Sequence, residues 1–163
     1  MIAVDSSSLI LLAKINILDV LIKNTKQKLA IPEQVYVECT ARKDLLDAQL
    51  IEKRVKERLI AKKGVSNKSL CNKLQKDFNL GKGEAESICL SIEFNNGIIT
   101  DDKKAINACR ILKIKFTTVP KLVVQLYKKR MIAEEEVHLI IEKLQKFGRY
   151  SDGIIQRVKE DLK

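Results

Sequence analysis

The sequence predicts an α/β fold in which helices cover both faces of a parallel sheet of at least four strands. Short apolar runs alternate along the chain with longer segments whose apolar residues recur every three or four positions. Strands buried on both faces have such uninterrupted apolar runs, and the amphipathic segments between them are typical of helices. The length of 163 residues, with 45% hydrophobic and 32% charged residues, fits one globular domain. Together these observations predict a three-layer α/β/α sandwich.

Four apolar runs are predicted to form the strands of this sheet. The first, "IAV", occupies residues 2–4. The second occupies residues 28–31, and Pro32 then suits the first turn of a helix. The third and fourth occupy residues 97–100 and 115–118.

The segments between and after these runs are predicted to be helices. Ser6–Ser8 can cap the first of them, "SSSLILLAKI". Residues 44–63 have leucine, isoleucine and valine at helical spacing, and Gly64 ends that pattern. The remaining predicted helices are, in order, "ILDVLIKN", "PEQVYVECTARK", "SLCNKLQKDF", "EAESICLSIEF", "DKKAINACRILK", "PKLVVQLYKKRMI", "EEEVHLIIEKLQKF" and "SDGIIQRVKEDL".

The chain is predicted to be a single domain over residues 1–163. Its parts are a core of about residues 1–130, a basic helical insert at about 42–76 and a helical C-terminal extension at about 131–163. No apolar run has the length that a membrane span needs, and the start of the chain is too polar for a signal peptide. The sequence therefore predicts a cytoplasmic protein with no membrane partner.

The formal net charge of +10 is unevenly distributed along the chain. Residues 42–76 have a net charge of +7 and residues 103–130 of +9, whereas residues 77–102 between them have −5. Basic surfaces attract polyanions such as RNA and DNA. For residues 42–76 alone, an ordinary solvated face of lysine-rich helices explains the charge equally well.

The chain lacks the residue pattern of a zinc site. It has one histidine, His138, and its cysteines form no CxxC pair, so they are predicted to be small buried hydrophobic residues. His138 lies in an acid-rich predicted helix, which argues against a histidine-based ribonuclease mechanism. The four cysteines are Cys39, Cys71, Cys89 and Cys109.

Aspartates directly follow the first and third predicted strands. Asp5 follows "IAV", and Asp101 and Asp102 follow "GIIT". Because parallel strands end at the same edge of a sheet, where ligand sites lie, we expect these side chains to lie close together. The alternative is that Asp5 and Asp102 are ordinary N-caps of the helices that follow them.

Two predicted helices carry further acids that could reach the same edge. Glu38 follows Val35 by three positions, so it is predicted to lie on the buried helix face unless it forms a salt bridge with Arg42. Glu84 and Glu86 flank the core stripe of "EAESICLSIEF" on opposite sides and cannot both face one point. Their spacing does not choose between them, and both also fit as favourable charges in a first helical turn.

Four motifs in this order resemble those of PIN-domain proteins, especially small prokaryotic proteins related to VapC toxins. They are "VDSSSLI", "PEQVYVEC", "LGKGEAESICL" and "IITDDKKA", spread over about residues 1–130. The ending "FGRYSDGIIQRVKEDL" is similar to the tail of one PIN subgroup. The resemblance implies a Rossmann-like domain whose acidic pocket binds Mg²⁺ or Mn²⁺ and which cleaves RNA. It also implies a homodimer and a small antitoxin protein as a partner.

The resemblance also assigns roles to individual residues. It implies that Asp5, Glu38, Glu84 and Asp102 are catalytic, and that Asp5, Glu84, Asp101 and Asp102 hold the metal. The doubled acids in "EAE" and "TDD" leave the third and fourth positions open by one or two residues. The secondary candidates are Glu86, Ser6 and Thr100.

General chemistry agrees with a metal-dependent nuclease. Mg²⁺ prefers oxygen ligands, and hard cations activate water and stabilise a leaving phosphodiester oxygen without histidine or cysteine. The main alternative is a non-catalytic nucleic-acid-binding module whose acids are only helix caps and salt-bridge partners. A receiver-type phosphotransfer domain is disfavoured, because its acid pair would follow the first strand and here the pair comes late.

Overall fold

The computed structural model describes residues 1–162 and contains one five-stranded parallel sheet. The strand order is β3-β2-β1-β4-β5, and every neighbouring pair is parallel. The predicted α/β class is thus confirmed, and the four predicted strands correspond to β1, β2, β4 and β5. The strands are β1 (Ile2–Val4), β2 (Leu29–Pro32), β3 (Ile60–Lys63), β4 (Ile98–Ile99) and β5 (Phe116–Thr117).

Helices connect the strands and cover both faces of the sheet. The predicted helical segments are confirmed, apart from the end of residues 44–63. Within the described part of the chain the helices are α1 (Ser6–Lys14), α2 (Leu18–Asn24), α3 (Glu33–Thr40), α4 (Leu46–Lys56), α5 (Lys68–Phe78), α6 (Lys82–Glu93), α7 (Lys103–Ile111), α8 (Val119–Lys128), α9 (Glu134–Phe147) and α10 (Asp152–Asp161).

The prediction that the insert at about 42–76 is helical was wrong for residues 60–63, which form the edge strand β3. Arg58 ends α4 because it adopts a left-handed conformation with φ of 59°. Ile60 then pairs with Leu29 of β2 and is buried. The insert therefore belongs to the sheet and to the core, to which Ile51 also contributes.

The hydrophobic core consists of two clusters, one on each face of the sheet. Neighbouring residues of a strand point to opposite faces. Accordingly, Val4 and Ile99 belong to the cluster under α1, α8, α9 and α10, whereas Ala3 and Ile98 belong to the cluster under α5, α6 and α7. This division of the core gives the three layers of the predicted α/β/α sandwich.

The parallel topology brings the carboxyl ends of all five strands to one edge, which we call the carboxyl edge. The Asp5 N–H donates to the Ile99 carbonyl (3.2 Å), so the ends of the neighbouring strands β1 and β4 are level. Helices α1, α3, α7 and α8 begin there directly after their strands. No helix among residues 1–162 is long and apolar enough to cross a membrane.

Candidate functional site

Asp5 lies at the centre of the carboxyl edge and is almost completely buried, with 1% of its surface exposed. It is the N-cap of α1, and its Oδ1 accepts hydrogen bonds from the Ser8 N–H (2.8 Å) and the Ser7 hydroxyl (3.2 Å). Burial raises the pKa of Asp5 above its usual value, although hydrogen bonds from Thr100, Ser8 and Ser7 act in the opposite direction. The fold thus places the Asp5 carboxyl group in surroundings that disfavour its negative charge.

Thr100 links Asp5 to Asp102. The buried Thr100 hydroxyl donates to Asp5 Oδ2 and accepts from the Asp102 N–H (3.2 Å). Asp102 caps α7, because its Oδ1 accepts from the Ala105 N–H (2.8 Å). The expectation that Asp5 and Asp102 share one edge is therefore confirmed, and so is their role as helix caps. Capping occupies one oxygen of the Asp102 carboxylate.

Asp101 points into the domain, toward α1 and α8. Its Oδ2 accepts from the Ser8 hydroxyl (3.2 Å), and both of its oxygens lie within 3.3 Å of the Val119 N–H. Burial raises the pKa of Asp101 to about 6, and the negative charge of Asp5 contributes to this rise. The hydroxyl of Tyr150, from the turn between α9 and α10, is buried beside Asp101 without a hydrogen bond of ordinary geometry.

Glu84, in the first turn of α6, faces the aspartates. Burial raises its pKa, and the negative charges of Asp102, Asp5 and Glu38 raise it further. Its carboxylate folds back over Gly81, where a Cβ would collide with Glu84 Oε2.

Glu86 lies on a different side of α6 from Glu84. Its Oε1 is 4.0 Å from the Lys82 ammonium, and it lines a separate groove together with Lys68 and Cys71. Residues two positions apart in an α-helix point to nearly opposite sides, and this is why the two glutamates have different surroundings.

Glu38 is exposed, so the prediction of a buried position on α3 was wrong. The salt bridge with Arg42 is also absent, since Arg42 pairs with Asp44 (3.0 Å). Glu38 lies at the margin of the buried face, where its carboxylate accepts from the Gln34 amide (2.9 Å). A Cβ on Gly83 would lie 2.9 Å from Glu38 Oε2, so α3 brings this carboxylate against the first turn of α6.

The carboxylates of this edge form a cluster, which we call the acid cluster: Asp5, Glu38, Glu84, Asp101 and Asp102. None of them forms a salt bridge with a lysine or arginine among the described residues. Their oxygens are the ligand type that Mg²⁺ and Mn²⁺ prefer, so the donor set fits such a cation chemically. Within residues 1–162, however, no three such side chains stand close enough to share one ion. Binding a common ion would require half-exposed carboxylates to turn toward it.

The comparison with known families identifies the chain. A protein-family model described as DUF3368, a PIN domain, matches residues 1–163. The chain belongs to the PIN-domain family. PIN domains are generally metal-dependent nucleases that act on nucleic acid. No curated protein and no solved structure matches the chain significantly.

Exposed lysines surround the acid cluster of this PIN domain. They lie at the end of β3 and in the first turns of α6, α7 and α8, all at the carboxyl edge. Two of these lysines have partners of their own: Lys62 forms a salt bridge with Glu33 (3.1 Å), and Lys104 donates to the Asn79 carbonyl (3.1 Å). Basic side chains also pair away from this edge. Arg54, for example, binds Asp19 (2.6 Å) and Glu57 (2.7 Å). The lysines at the carboxyl edge are Lys62, Lys63, Lys82, Lys103, Lys104 and Lys121.

Some residues at the PIN-domain site were not predicted as part of it. Ser7 and Ser8 were expected only as helix caps, yet their hydroxyls contact Asp5 and Asp101. Tyr150 lies in the ending "FGRYSDGIIQRVKEDL" but was not predicted as a site residue, because this segment is distant in the sequence from the acids. Ser6, a secondary candidate, contributes a backbone carbonyl that accepts the Cys39 thiol (3.6 Å).

Proposed function

We propose that this PIN domain is a metal-dependent ribonuclease, similar to VapC toxins, that cleaves RNA phosphodiesters with Mg²⁺ or Mn²⁺ held by the acid cluster. The supporting observation is the crowding of carboxyl groups without a compensating cation. Burial raises the pKa values of Asp5, Asp101 and Glu84, and the negative charges of neighbouring carboxylates raise those of Asp101 and Glu84 further, so a positive ion beside these groups would favour their charged forms.

In this proposal, Asp5, Glu84, Asp101 and Asp102 are the metal ligands, and Glu38 completes the catalytic set. A bound divalent cation lowers the pKa of water and stabilises the leaving oxygen of the phosphodiester. The chain keeps its carboxylates in place through backbone donors and through the hydroxyl of Thr100, which contacts Asp5 and Asp102.

The lysines of the carboxyl edge are proposed to bind the RNA backbone. The acid cluster alone would repel a polyanion, whereas exposed lysines nearby neutralise phosphates and release counterions. Lys103 and Lys104 directly follow Asp102, and Lys82 begins the helix that carries Glu84. RNA affinity should therefore fall steeply as the salt concentration rises.

The decisive experiment is a cleavage assay on mixed RNAs with Mg²⁺ or Mn²⁺, with and without a chelator. We expect cleavage only with the metal. Asp5→Asn should lower cleavage by at least about 100-fold while RNA binding persists, because it removes one charge and almost no volume. Full cleavage in excess chelator, or unchanged cleavage by Asp5→Asn, would refute the metal mechanism.

A matched pair of variants tests which glutamate belongs to the site. Glu84→Gln should abolish metal-dependent cleavage, because Glu84 faces Asp5 and Asp102. Glu86→Gln is the control, since Glu86 lies next to Lys82 in the separate groove, and it should keep most of the activity. The reverse result would show that the assignment is wrong by two positions.

A non-catalytic nucleic-acid-binding module is the second candidate. Asp5 and Asp102 do cap helices, and no ready-made cation site exists among residues 1–162, which favours this alternative. It predicts RNA binding without cleavage under any metal, and equal RNA affinity for the wild type and Asp5→Asn. The cleavage assay therefore separates the two functions.

The partners expected from the resemblance and the location predicted from the sequence remain part of the proposal. We expect a homodimer, and a small antitoxin protein that blocks the acid cluster. The cytoplasmic location predicted from the sequence is consistent with an RNA substrate.

A further inference from the structure

Two of the four cysteines come together in the core under α5, α6 and α7. Cys71 of α5 and Cys89 of α6 are 18 positions apart in the sequence, yet their Sγ atoms are 2.6 Å apart. This separation is short for two thiols and approaches the roughly 2.05 Å of a disulfide bond. Both cysteines are buried and free.

The remaining cysteines provide a comparison within the same chain. Cys39 donates its thiol to the Ser6 carbonyl at 3.6 Å, on the other face of the sheet. Cys109 is fully buried in α7 and forms no sulfur–sulfur contact in the described part of the chain. The close approach is therefore specific to Cys71 and Cys89.

Cys71 is also the member of the pair that a small molecule can reach. It lines a groove of about 380 Å³ between β3, α5 and α6, together with Val65, Asn72 and Gln75. Cys89 lies directly behind it with no exposed surface. An oxidant that entered the groove would thus meet Cys71 first.

We propose that Cys71 and Cys89 are a disulfide-forming site that responds to a peroxide. The Cys71 sulfur attacks one peroxide oxygen and breaks the O–O bond, which gives a sulfenic acid and one water. The Cys89 sulfur then attacks the Cys71 sulfur and displaces the second water. The two thiols lose two electrons and two protons, and hydrogen peroxide is reduced to two water molecules.

The disulfide bond would link α5 covalently to α6, and the short turn between these two helices leads directly to Glu84. Burial raises the pKa values of both thiols, so little thiolate is present and the oxidation should be slow. We therefore expect a disulfide that forms slowly, during prolonged oxidative exposure, and then persists, rather than one that forms and breaks rapidly.

The test is exposure of the folded wild-type protein to hydrogen peroxide, followed by unfolding, alkylation of the remaining thiols and peptide mass spectrometry. We expect two alkylated cysteines, Cys39 and Cys109, and a peptide pair linked through Cys71 and Cys89 with a mass about 2 Da lower. The melting temperature should rise by about 5–10 °C in the oxidised protein, and a reductant should reverse this shift.

Two variants complete the experiment. Cys71→Ser should lose both the linked peptide and the thermal shift, whereas the matched control Cys109→Ser should keep both. Four alkylated cysteines in the treated wild type, oxygen added to Cys71 without a link, or a link between two chains would each overturn the proposal. These outcomes are read from the wild type, so they hold even if Cys71→Ser folds poorly.

Discussion

The pKa of Asp101 is raised, so the free energy of unfolding of the metal-free protein should depend on pH. Replacing Asp101 therefore measures how strongly the acid cluster disfavours the negative charge of this residue. Asp101→Asn removes one negative charge and almost no volume. The amide oxygen can still accept from the Val119 N–H, but one acceptor of the carboxylate is lost, and with it the hydrogen bond from the Ser8 hydroxyl. Losing that bond should cost about 1 kcal/mol at any pH.

The electrostatic contribution has the opposite sign and depends on pH. The pKa of Asp101 is raised from 3.8 to about 6, so the unfolded chain releases its proton first as the pH rises. Stability is therefore lost between about pH 4 and pH 6 and stays lost above that range. At about 1.4 kcal/mol per pKa unit, the full loss is about 3 kcal/mol. Asp101→Asn should thus be about 2 kcal/mol more stable than the wild type at about pH 8 and about 1 kcal/mol less stable at about pH 3, where the carboxyl group is protonated in both the folded and the unfolded chain.

The assay is urea unfolding of both proteins in chelator at these two pH values. Glu86→Gln is the control, because Glu86 lies outside the acid cluster, and it should show no such change of sign with pH. Mg²⁺ should then stabilise the wild type more than Asp101→Asn, because a cation that binds only the folded state adds to its stability. A difference between wild type and Asp101→Asn that does not change with pH would refute the electrostatic reasoning.

Three further predictions follow from contacts around the site and from the surface. Gly83→Ala should displace the Glu38 carboxylate and lower cleavage at least several-fold, yet raise the stability of the fold by up to about 1 kcal/mol, as measured by urea unfolding. Tyr150→Phe should raise the pKa of Asp101 further, because the hydroxyl dipole beside the carboxylate favours its charged form even without a hydrogen bond of ordinary geometry. NMR titration follows this change, and the free energy of unfolding should change by less than about 1 kcal/mol. The protein should scatter light as a dimer at tens of micromolar, and Leu46→Lys should weaken that dimer, because Leu46 is an 83% exposed leucine on α4. A monomeric wild type would contradict the last of these.

The fold was predictable because its buried strands are short apolar runs between amphipathic helices. The strand β3 was missed for a physical reason. Leu59 and Ile60 continue the helical spacing of α4, and only Ile60 is buried in the strand, so an edge strand with exposed lysines gives no period of two. The left-handed turn at Arg58 that separates helix from strand is set by backbone geometry, which has no residue signature of its own.

Part of the candidate site was predictable, because the order of the parallel strands alone determines which strand ends are neighbours. Asp5 and Asp102 follow neighbouring parallel strands and had to meet at one edge. The choice between Glu84 and Glu86 depends on how α6 is rotated against the sheet, which is decided by packing of its buried face. Contacts of Tyr150 with the site depend on how the distant C-terminal helices fold back, and no local pattern contains that information.

The two explanations offered for the aspartates, helix capping and metal binding, are compatible. A carboxylate has two oxygens, and in both Asp5 and Asp102 the cap hydrogen bond from the helix backbone uses Oδ1. Capping thereby fixes the orientation of each carboxylate through rigid backbone donors, and the second oxygen of Asp102 accepts no hydrogen bond within residues 1–162. The positive ends of α1 and α7 also point at this edge and stabilise negative charge there. Helix capping is therefore the means by which the fold could hold negatively charged oxygens in place before a cation arrives, and a loss of capping should weaken metal binding as well as stability.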